Sequence, residues 1–186
     1  MNQAGSNFNQ LLVLPSQRDR YQRILNAPVV LVEYGNYQCL QSGEVYRLIQ
    51  AIQQDFDFVL SQKNRVCVVF RHFIQSSYPQ AQKAAEVAEA AAAPGQFWQM
   101  HDLLFTHQQA LEDGYLVEYA DRLGLDIFQF LRDPSSQVHI TRIEEDTESG
   151  NQSGVMAAPA LFINGIRYRD RWNMEQLKAA ITTASH

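Results

Sequence analysis

Two cysteines are the residues of this sequence with the clearest potential for chemistry. Cys39 follows an apolar run that ends at Tyr34 and precedes a segment with helical periodicity. The start of a helix favours an anion through its unpaired backbone N–H groups and its dipole, so the position favours a reactive thiolate. A small buried residue at a strand end is the alternative. Because the chain turns from strand to helix here, we expect an exposed, reactive Cys39.

Cys67 lies inside a predicted strand, near the start of a second apolar run at 65–72. In a parallel βαβ unit Cys39 would lie beyond the C-terminal end of the first strand. Cys67 would lie about four or five residues short of that end, at roughly 3.3 Å each. That separation exceeds the limit of about 7 Å between Cα atoms for a disulfide. We therefore predict that Cys67 is a buried core thiol.

The elements that must position these residues follow from hydrophobic periodicity. Buried-strand runs at 28–34 and 65–72 flank an amphipathic helix, which predicts a βαβ unit. Helical patterns fill 79–131, and Asp133-Pro134 is typical of the start of another helix.

The C-terminal part returns to strands. Runs at 160–163 and 166–169 flank Asn164-Gly165, a strong hairpin signal. Asn173, with Gln176 three residues later, predicts the start of a final helix. The predicted order is therefore βαβ, a helical block, then αββα.

Composition narrows the function classes. The chain has 186 residues, 46% of them hydrophobic and 19% charged, with a formal net charge of −5. These values are typical of one globular domain. No basic stripe indicates a nucleic-acid partner, and the histidines lack metal-ligand spacing. No segment has the length of a membrane span or the pattern of a secretory signal, so we expect a cytoplasmic protein. The oligomeric state stays open.

Four segments of the chain resemble the DsbA-like thiol-disulfide oxidoreductase family. They are residues 32–39 (VEYGNYQC), 70–73 (FRHF), 97–105 (FWQMHDLLF) and 154–165 (GVMAAPALFING). The resemblance runs in order from about residue 26 to the final helix. It implies an α/β thioredoxin fold whose βαβ and ββα halves are separated by an inserted helical subdomain.

The implied organisation divides the chain into four parts. An N-terminal extension covers 1–25, and the βαβ half of the thioredoxin fold covers 26–75. The inserted helical subdomain covers 76–133. A linking helix and the ββα half cover 134–186.

The sequence departs from the family at the position that decides the chemistry. The family pattern is Cys-x-x-Cys, whereas this chain has Cys39-Leu40-Gln41-Ser42. Without a second thiol the protein cannot close a disulfide within this motif. The remaining chemistry is monothiol: Cys39 forms a mixed disulfide that an external thiol such as glutathione resolves. Ser42 either hydrogen-bonds the thiolate from one helical turn away or is an ordinary helix-surface serine.

Three further site residues follow from the resemblance. It implies a cis peptide bond before Pro159, facing the nucleophile, with the backbone of Ala158 offered to an extended substrate. A trans proline that starts the strand is the alternative. Glu33 is an acid inside an apolar strand, where burial would raise its pKa. The resemblance implies that Glu33 moves protons to or from the thiol, and the alternative is a strand-end carboxylate that reaches water.

Weaker signals favour structural roles. Arg167, Arg169 and Arg171 alternate on one predicted strand face and could attract an anionic peptide or glutathione. We expect them instead to protect an edge strand by charge. We also expect His72 to be a hydrogen-bonded structural residue.

Three functions remain open at this stage. The first is a monothiol oxidoreductase that acts on protein or small-molecule thiols and disulfides, with no tightly bound cofactor and with glutathione as a candidate co-substrate. The second is a redox-inactive module that binds peptides or a partner. The third is a glutathione transferase-like enzyme, because a related thioredoxin-fold class with a helical insertion has that activity.

Overall fold

A computed structural model describes residues 9–58, 65–126 and 136–185 of the chain. The strands are β1 (Arg20–Gln22), β2 (Val29–Gly35), β3 (Val66–His72), β4 (Ala160–Ile163) and β5 (Ile166–Arg167). The helices are α1 (Leu40–Phe58), α2 (Ala81–Ala92), α3 (Phe97–Thr106), α4 (Asp113–Arg122), α5 (Ser136–Gln152) and α6 (Met174–Ala184). The predicted thioredoxin fold, βαβ and ββα joined through a helical insertion, is confirmed.

The five strands form one sheet in the order β1-β3-β2-β4-β5. β2 and β3 are parallel, as expected for a βαβ unit, and β4 runs antiparallel to β2. The buried runs predicted at 28–34 and 65–72 lie at β2 and β3, the two inner strands of that unit. β1 lies within the predicted N-terminal extension at 1–25, where the sequence pattern predicts no strand, and it pairs antiparallel with β3.

Each face of the sheet is covered by different helices. Leu31 and Val68 face Ile49 and Ile52 of α1 and Leu177 of α6. The other face, which carries Val32 and Tyr34, packs beside α5. The insertion of α2, α3 and α4 has its own apolar cluster, which reaches the sheet through Phe70 of β3.

The predicted hairpin turn and the predicted start of the final helix are both present, and a glycine ends α4. Asn164 and Gly165 both have positive φ, at 48° and 80°, which a two-residue hairpin turn requires. Gly124 follows α4 with φ of 68°, the left-handed geometry that ends a helix. The Asn173 side chain accepts a 2.9 Å hydrogen bond from the Gln176 N–H and caps α6. The predicted helix start at Asp133-Pro134 lies outside the described residues.

One strand prediction is wrong. β5 ends at Arg167, so Arg167, Arg169 and Arg171 do not alternate along a single strand. The Arg167 guanidinium turns inward, donates to the Gly154 carbonyl at 2.6 Å and lies over the Phe162 ring. The regular strand thus ends two residues before the predicted run at 166–169 does.

Candidate active site

The turn between β2 and α1 places Cys39 at the start of a helix. Asn36 is buried, and its Oδ1 accepts a 2.9 Å hydrogen bond from the Gln38 N–H, which forms an Asx-type turn. The Asn36 carbonyl accepts from the Cys39 N–H at 3.1 Å. The Cys39 carbonyl in turn accepts from the Gly43 N–H at 3.2 Å, the first hydrogen bond of α1. Cys39 is thus the N-cap residue of this helix.

The inserted helices hold this turn from the outside. Gln108, which follows α3, donates its amide N–H groups at 2.8 Å to the carbonyls of both Tyr37 and Cys39. The Tyr37 ring stacks on Phe70, and its hydroxyl contacts His101 Nδ1 at 3.0 Å. The insertion therefore supports the turn that carries Cys39.

The expectation of an exposed Cys39 is wrong, because only 1% of the residue is accessible. Its Sγ lies 3.3 Å from Gln41 Oε1 and 3.5 Å from the Ala158 carbonyl. A single S–H proton can be donated to only one of these acceptors at a time. The alternative considered for Cys39, a small buried residue at a strand end, is correct about burial, but the surroundings of the sulfur are polar.

Ala158 contacts Cys39 from the other half of the fold, and Pro159 follows it in the chain. The Ala158–Pro159 peptide bond is cis. The Ala158 carbonyl is the group in reach of the Cys39 sulfur, and the Ala158 N–H donates to Gln75 Oε1 at 3.2 Å. The structure therefore brings Cys39 and Ala158 together beside the cis bond to Pro159, and the substrate-binding role of this backbone stays a prediction.

Ser42 is fully buried, so the alternative of a helix-surface serine is wrong. Its Oγ accepts a 3.2 Å hydrogen bond from the Asn36 N–H. Ser42 thus supports the turn that precedes Cys39, and a hydrogen bond from its hydroxyl to the thiolate stays a prediction.

Glu33 lies in the middle of the sheet, on the face that α1 covers. Burial raises the pKa of its carboxyl to about 8, and its Oε1 has no hydrogen-bond partner. The alternative of a water-exposed carboxylate is wrong, since only 2% of Glu33 is accessible. With Tyr46 and Gln50 of α1, Glu33 lines a small internal cavity of about 10 Å³ beneath the helix that carries Cys39 at its start.

A larger cavity of about 420 Å³ opens next to the turn that carries Cys39 and is lined by the neighbouring Gln38 and Leu40. Its lining is dominated by neutral amides, with one phenol and one carboxylate: Gln38, Gln41, Tyr78, Gln80, Gln108 and Glu112 among others. Hydrogen bonding and charge interaction with Cys39 raise the pKa of Tyr78.

Cys67 and His72 have structural settings. Cys67 is a buried free thiol, and burial raises its pKa to about 11. The His72 Nε2 contacts Glu89 Oε1 at 3.0 Å inside the core. Cys67 is therefore a core thiol and His72 a hydrogen-bonded structural residue, as expected from the sequence.

Sequence reasoning missed several residues of this site. Asn36 carried a local signal, since an asparagine directly after a strand is typical of an Asx turn. Gln75, Tyr78 and Gln108 carried none, because only the fold brings them next to Cys39.

Comparisons with known proteins agree with this fold. The model of the thioredoxin family matches residues 24–183 of the chain. Among solved structures, BdbD from Bacillus subtilis superimposes with a TM-score of 0.78 at 20% identity, over 95% of this chain and 98% of that one. Alpha-DsbA1 from Wolbachia pipientis gives 0.75 at 18% identity, over 94% of each chain.

Curated relatives come from longer proteins. The Na(+)/H(+) antiporter NhaA 1 of Salinispora arenicola is 38% identical over 168 residues, which are 90% of this chain and 25% of the antiporter. NhaA 3 of Salinispora tropica is 36% identical over the same shares. The chain thus spans about a quarter of the length of these relatives. Within residues 9–58, 65–126 and 136–185, no helix combines the length and the hydropathy needed to cross a membrane.

Proposed function

The chain belongs to the thioredoxin family, and from that premise we propose that it is a monothiol thiol-disulfide oxidoreductase of the DsbA-like type. The observation that carries the proposal is the position of Cys39 Sγ. The sulfur belongs to the N-cap residue of α1 and lies 3.5 Å from the carbonyl of Ala158, the residue before cis Pro159. An attacking thiolate and the backbone for an extended substrate therefore meet at one point.

The proposed reaction has two exchange steps. The Cys39 thiolate attacks one sulfur of a disulfide R–S–S–R′, the S–S bond breaks, and R′–S⁻ leaves and takes up a proton. An external thiolate then attacks the R sulfur of the mixed disulfide, which forms a new disulfide and returns the Cys39 thiolate. The R′ sulfur is reduced and the sulfur of the external thiol is oxidised. The protein therefore ends each cycle unchanged. Glutathione is a candidate for the external thiol.

Glu33 and Ser42 support this exchange in the proposal. The pKa of Glu33, raised to about 8 by burial, leaves its carboxyl protonated for much of the time at neutral pH. Such a group can supply or take up a proton as the Cys39 sulfur changes state. Ser42 keeps the turn in place through the Asn36 N–H and offers its hydroxyl proton to the thiolate.

The test compares wild-type protein with Cys39→Ser and Cys67→Ala in thiol-disulfide exchange between a peptide disulfide and glutathione. We expect Cys39→Ser to abolish the catalysed rate and Cys67→Ala to keep it, since Cys67 lies in the core. Full activity of Cys39→Ser would overturn the proposal.

A peptide-binding module without redox turnover is the second candidate, favoured by the burial of the Cys39 sulfur. In that case Cys39→Ala would bind extended peptides as wild type does, and neither protein would react with disulfides.

A further inference from the structure

The backbone of Ala158 is already hydrogen-bonded on both sides within this chain. Its carbonyl is an acceptor for the Cys39 S–H at 3.5 Å. Its N–H donates to the side-chain oxygen of Gln75 at 3.2 Å. In the proposed function, this same N–H and carbonyl pair with an extended substrate.

The two contacts differ in how a substrate could release them. The contact to the carbonyl needs the thiol proton of Cys39, and it disappears when the sulfur is ionised or joined in a mixed disulfide. The contact to the N–H does not depend on the redox state of Cys39. It ends only when the Gln75 side chain moves.

The main chain around Gln75 is fastened, so the side chain is the part free to move. The Ile74 N–H donates to Thr147 Oγ1 at 3.2 Å, and the Tyr78 N–H donates to the Gln75 carbonyl at 3.0 Å. The Gln80 N–H donates to Gln38 Oε1 at 2.9 Å, which ties the far end of the loop to the residue before Cys39.

We propose that Gln75 is a specificity-determining residue whose amide oxygen occupies the place of a substrate carbonyl on the Ala158 N–H. A peptide must displace this oxygen before it can pair with Ala158, so Gln75 lowers the affinity for extended peptides. The inference rests on the proposed function, which assigns the Ala158 backbone to substrate binding. The competition itself is a binding event and needs no redox step.

The experiment measures the Kd of a neutral octapeptide with a central S-methylcysteine by NMR titration. Gln75→Ala removes the competitor and is expected to bind the peptide about fivefold more tightly, the fold-change that corresponds to one hydrogen bond of about 1 kcal/mol. Gln75→Glu keeps the shape and supplies a stronger, charged acceptor, so it is expected to bind the peptide more weakly than wild type. Hydrogen exchange of the Ala158 amide should become faster in Gln75→Ala.

Gln82→Ala is the matched control, because Gln82 bonds Glu86 within α2 and should leave the Kd unchanged. Unchanged or weaker peptide binding by Gln75→Ala would overturn the inference, as would equal effects of the Ala and Glu variants. Reaction of wild-type Cys39 with hydroxyethyl disulfide, measured separately, reports on the proposed function. A failure there leaves the binding comparison fully interpretable.

Discussion

A serine stands at position 42, where the Cys-x-x-Cys pattern of DsbA-like proteins has its second thiol. Residues 39 and 42 are one helical turn apart, a spacing at which Cα atoms lie within disulfide range. Ser42 is fully buried and oriented towards the turn that holds Cys39, through the Asn36 N–H. The monothiol chemistry proposed here therefore depends on a single side-chain atom.

Ser42→Cys should convert the site to a dithiol. With oxidised glutathione, wild type is expected to gain one glutathione, whereas the variant should lose that adduct and form a disulfide between Cys39 and the introduced thiol, with no glutathione mass added. Intact-protein mass spectrometry and thiol counting distinguish the two products, and Ser42→Ala is the control. A stable glutathione adduct on Ser42→Cys would contradict the predicted geometry.

Glu33 makes stability depend on pH. Its pKa is raised from 4.5 to about 8 in the folded protein, so the unfolded chain loses this proton first. Stability should therefore fall as pH rises, by about 3 kcal/mol between pH 5 and pH 8 from this group alone. Glu33→Gln should remove that part of the slope in urea unfolding, and Glu44→Gln, on an exposed position of α1, should not. Equal slopes for wild type and Glu33→Gln would show that Glu33 is ionised in the fold.

Glu112 is the one carboxylate in the lining of the 420 Å³ cavity beside Cys39. Oxidised glutathione carries net negative charge, so this carboxylate should repel it when it approaches Cys39 through the cavity. Glu112→Lys is expected to raise the rate of Cys39 reaction with oxidised glutathione about threefold at low salt, and added salt should reduce the gain. Glu118→Lys, exposed on the helix that follows Glu112, is the matched control. Equal gains in both variants would indicate a general charge effect and exclude this entry route.

At the scale of elements, Glu89 joins four of them in the core. It lies on α2, fully buried, with His72 of β3 at 3.0 Å and Arg20 of β1 at 2.5 Å. Arg142 of α5 approaches it at 3.2 Å. Burial opposes ionisation of Glu89, but His72 and Arg20 outweigh that cost and lower its pKa to about 2. The helical insertion is therefore attached to the sheet by charge as well as by apolar packing.

Glu89→Gln should destabilise the fold by about 3–5 kcal/mol, because the carboxylate is fully buried and the partly buried Arg20 and Arg142 lose their counter-charge. The folded pKa of Glu89 lies below its ordinary value, so its contribution is present above about pH 5 and is lost as pH falls towards 2. Acid unfolding of wild type should show this loss and the variant should not. Glu86→Gln on the same helix is the control, and a shift as large as that of Glu89→Gln would contradict the prediction.

The sequence predicted those elements whose signals lie within the element itself. β2, β3 and the Asn164-Gly165 hairpin were predictable because their signals are local: buried runs and a turn that needs positive φ. β1 was not, since three half-buried residues gain their strand geometry only by pairing with β3. Burial of Cys39 was missed for a related reason, because Ala158 lies against its sulfur from a distant part of the chain.

At the scale of the whole molecule, two halves of a thioredoxin fold meet at one sulfur. The βαβ half supplies Cys39 at the start of α1, and the ββα half supplies Ala158 and cis Pro159. The insertion supplies Gln108, which holds the Cys39 carbonyl. The fold thus brings the proposed nucleophile and the backbone proposed to bind substrate to one place, although the motif has a single thiol.

The most direct measurement of the central claim uses the Cys67→Ala protein, in which Cys39 is the only thiol. The protein is incubated with oxidised glutathione at about pH 7, where the thiol of an unstructured cysteine peptide is mostly protonated. Its intact mass is followed over time beside such a peptide. The account predicts one glutathione on Cys39, formed at least as fast as on the free peptide and removed by an added thiol. A Cys39 that stays unmodified while the free peptide reacts would contradict monothiol exchange and leave a thioredoxin fold that binds without reacting.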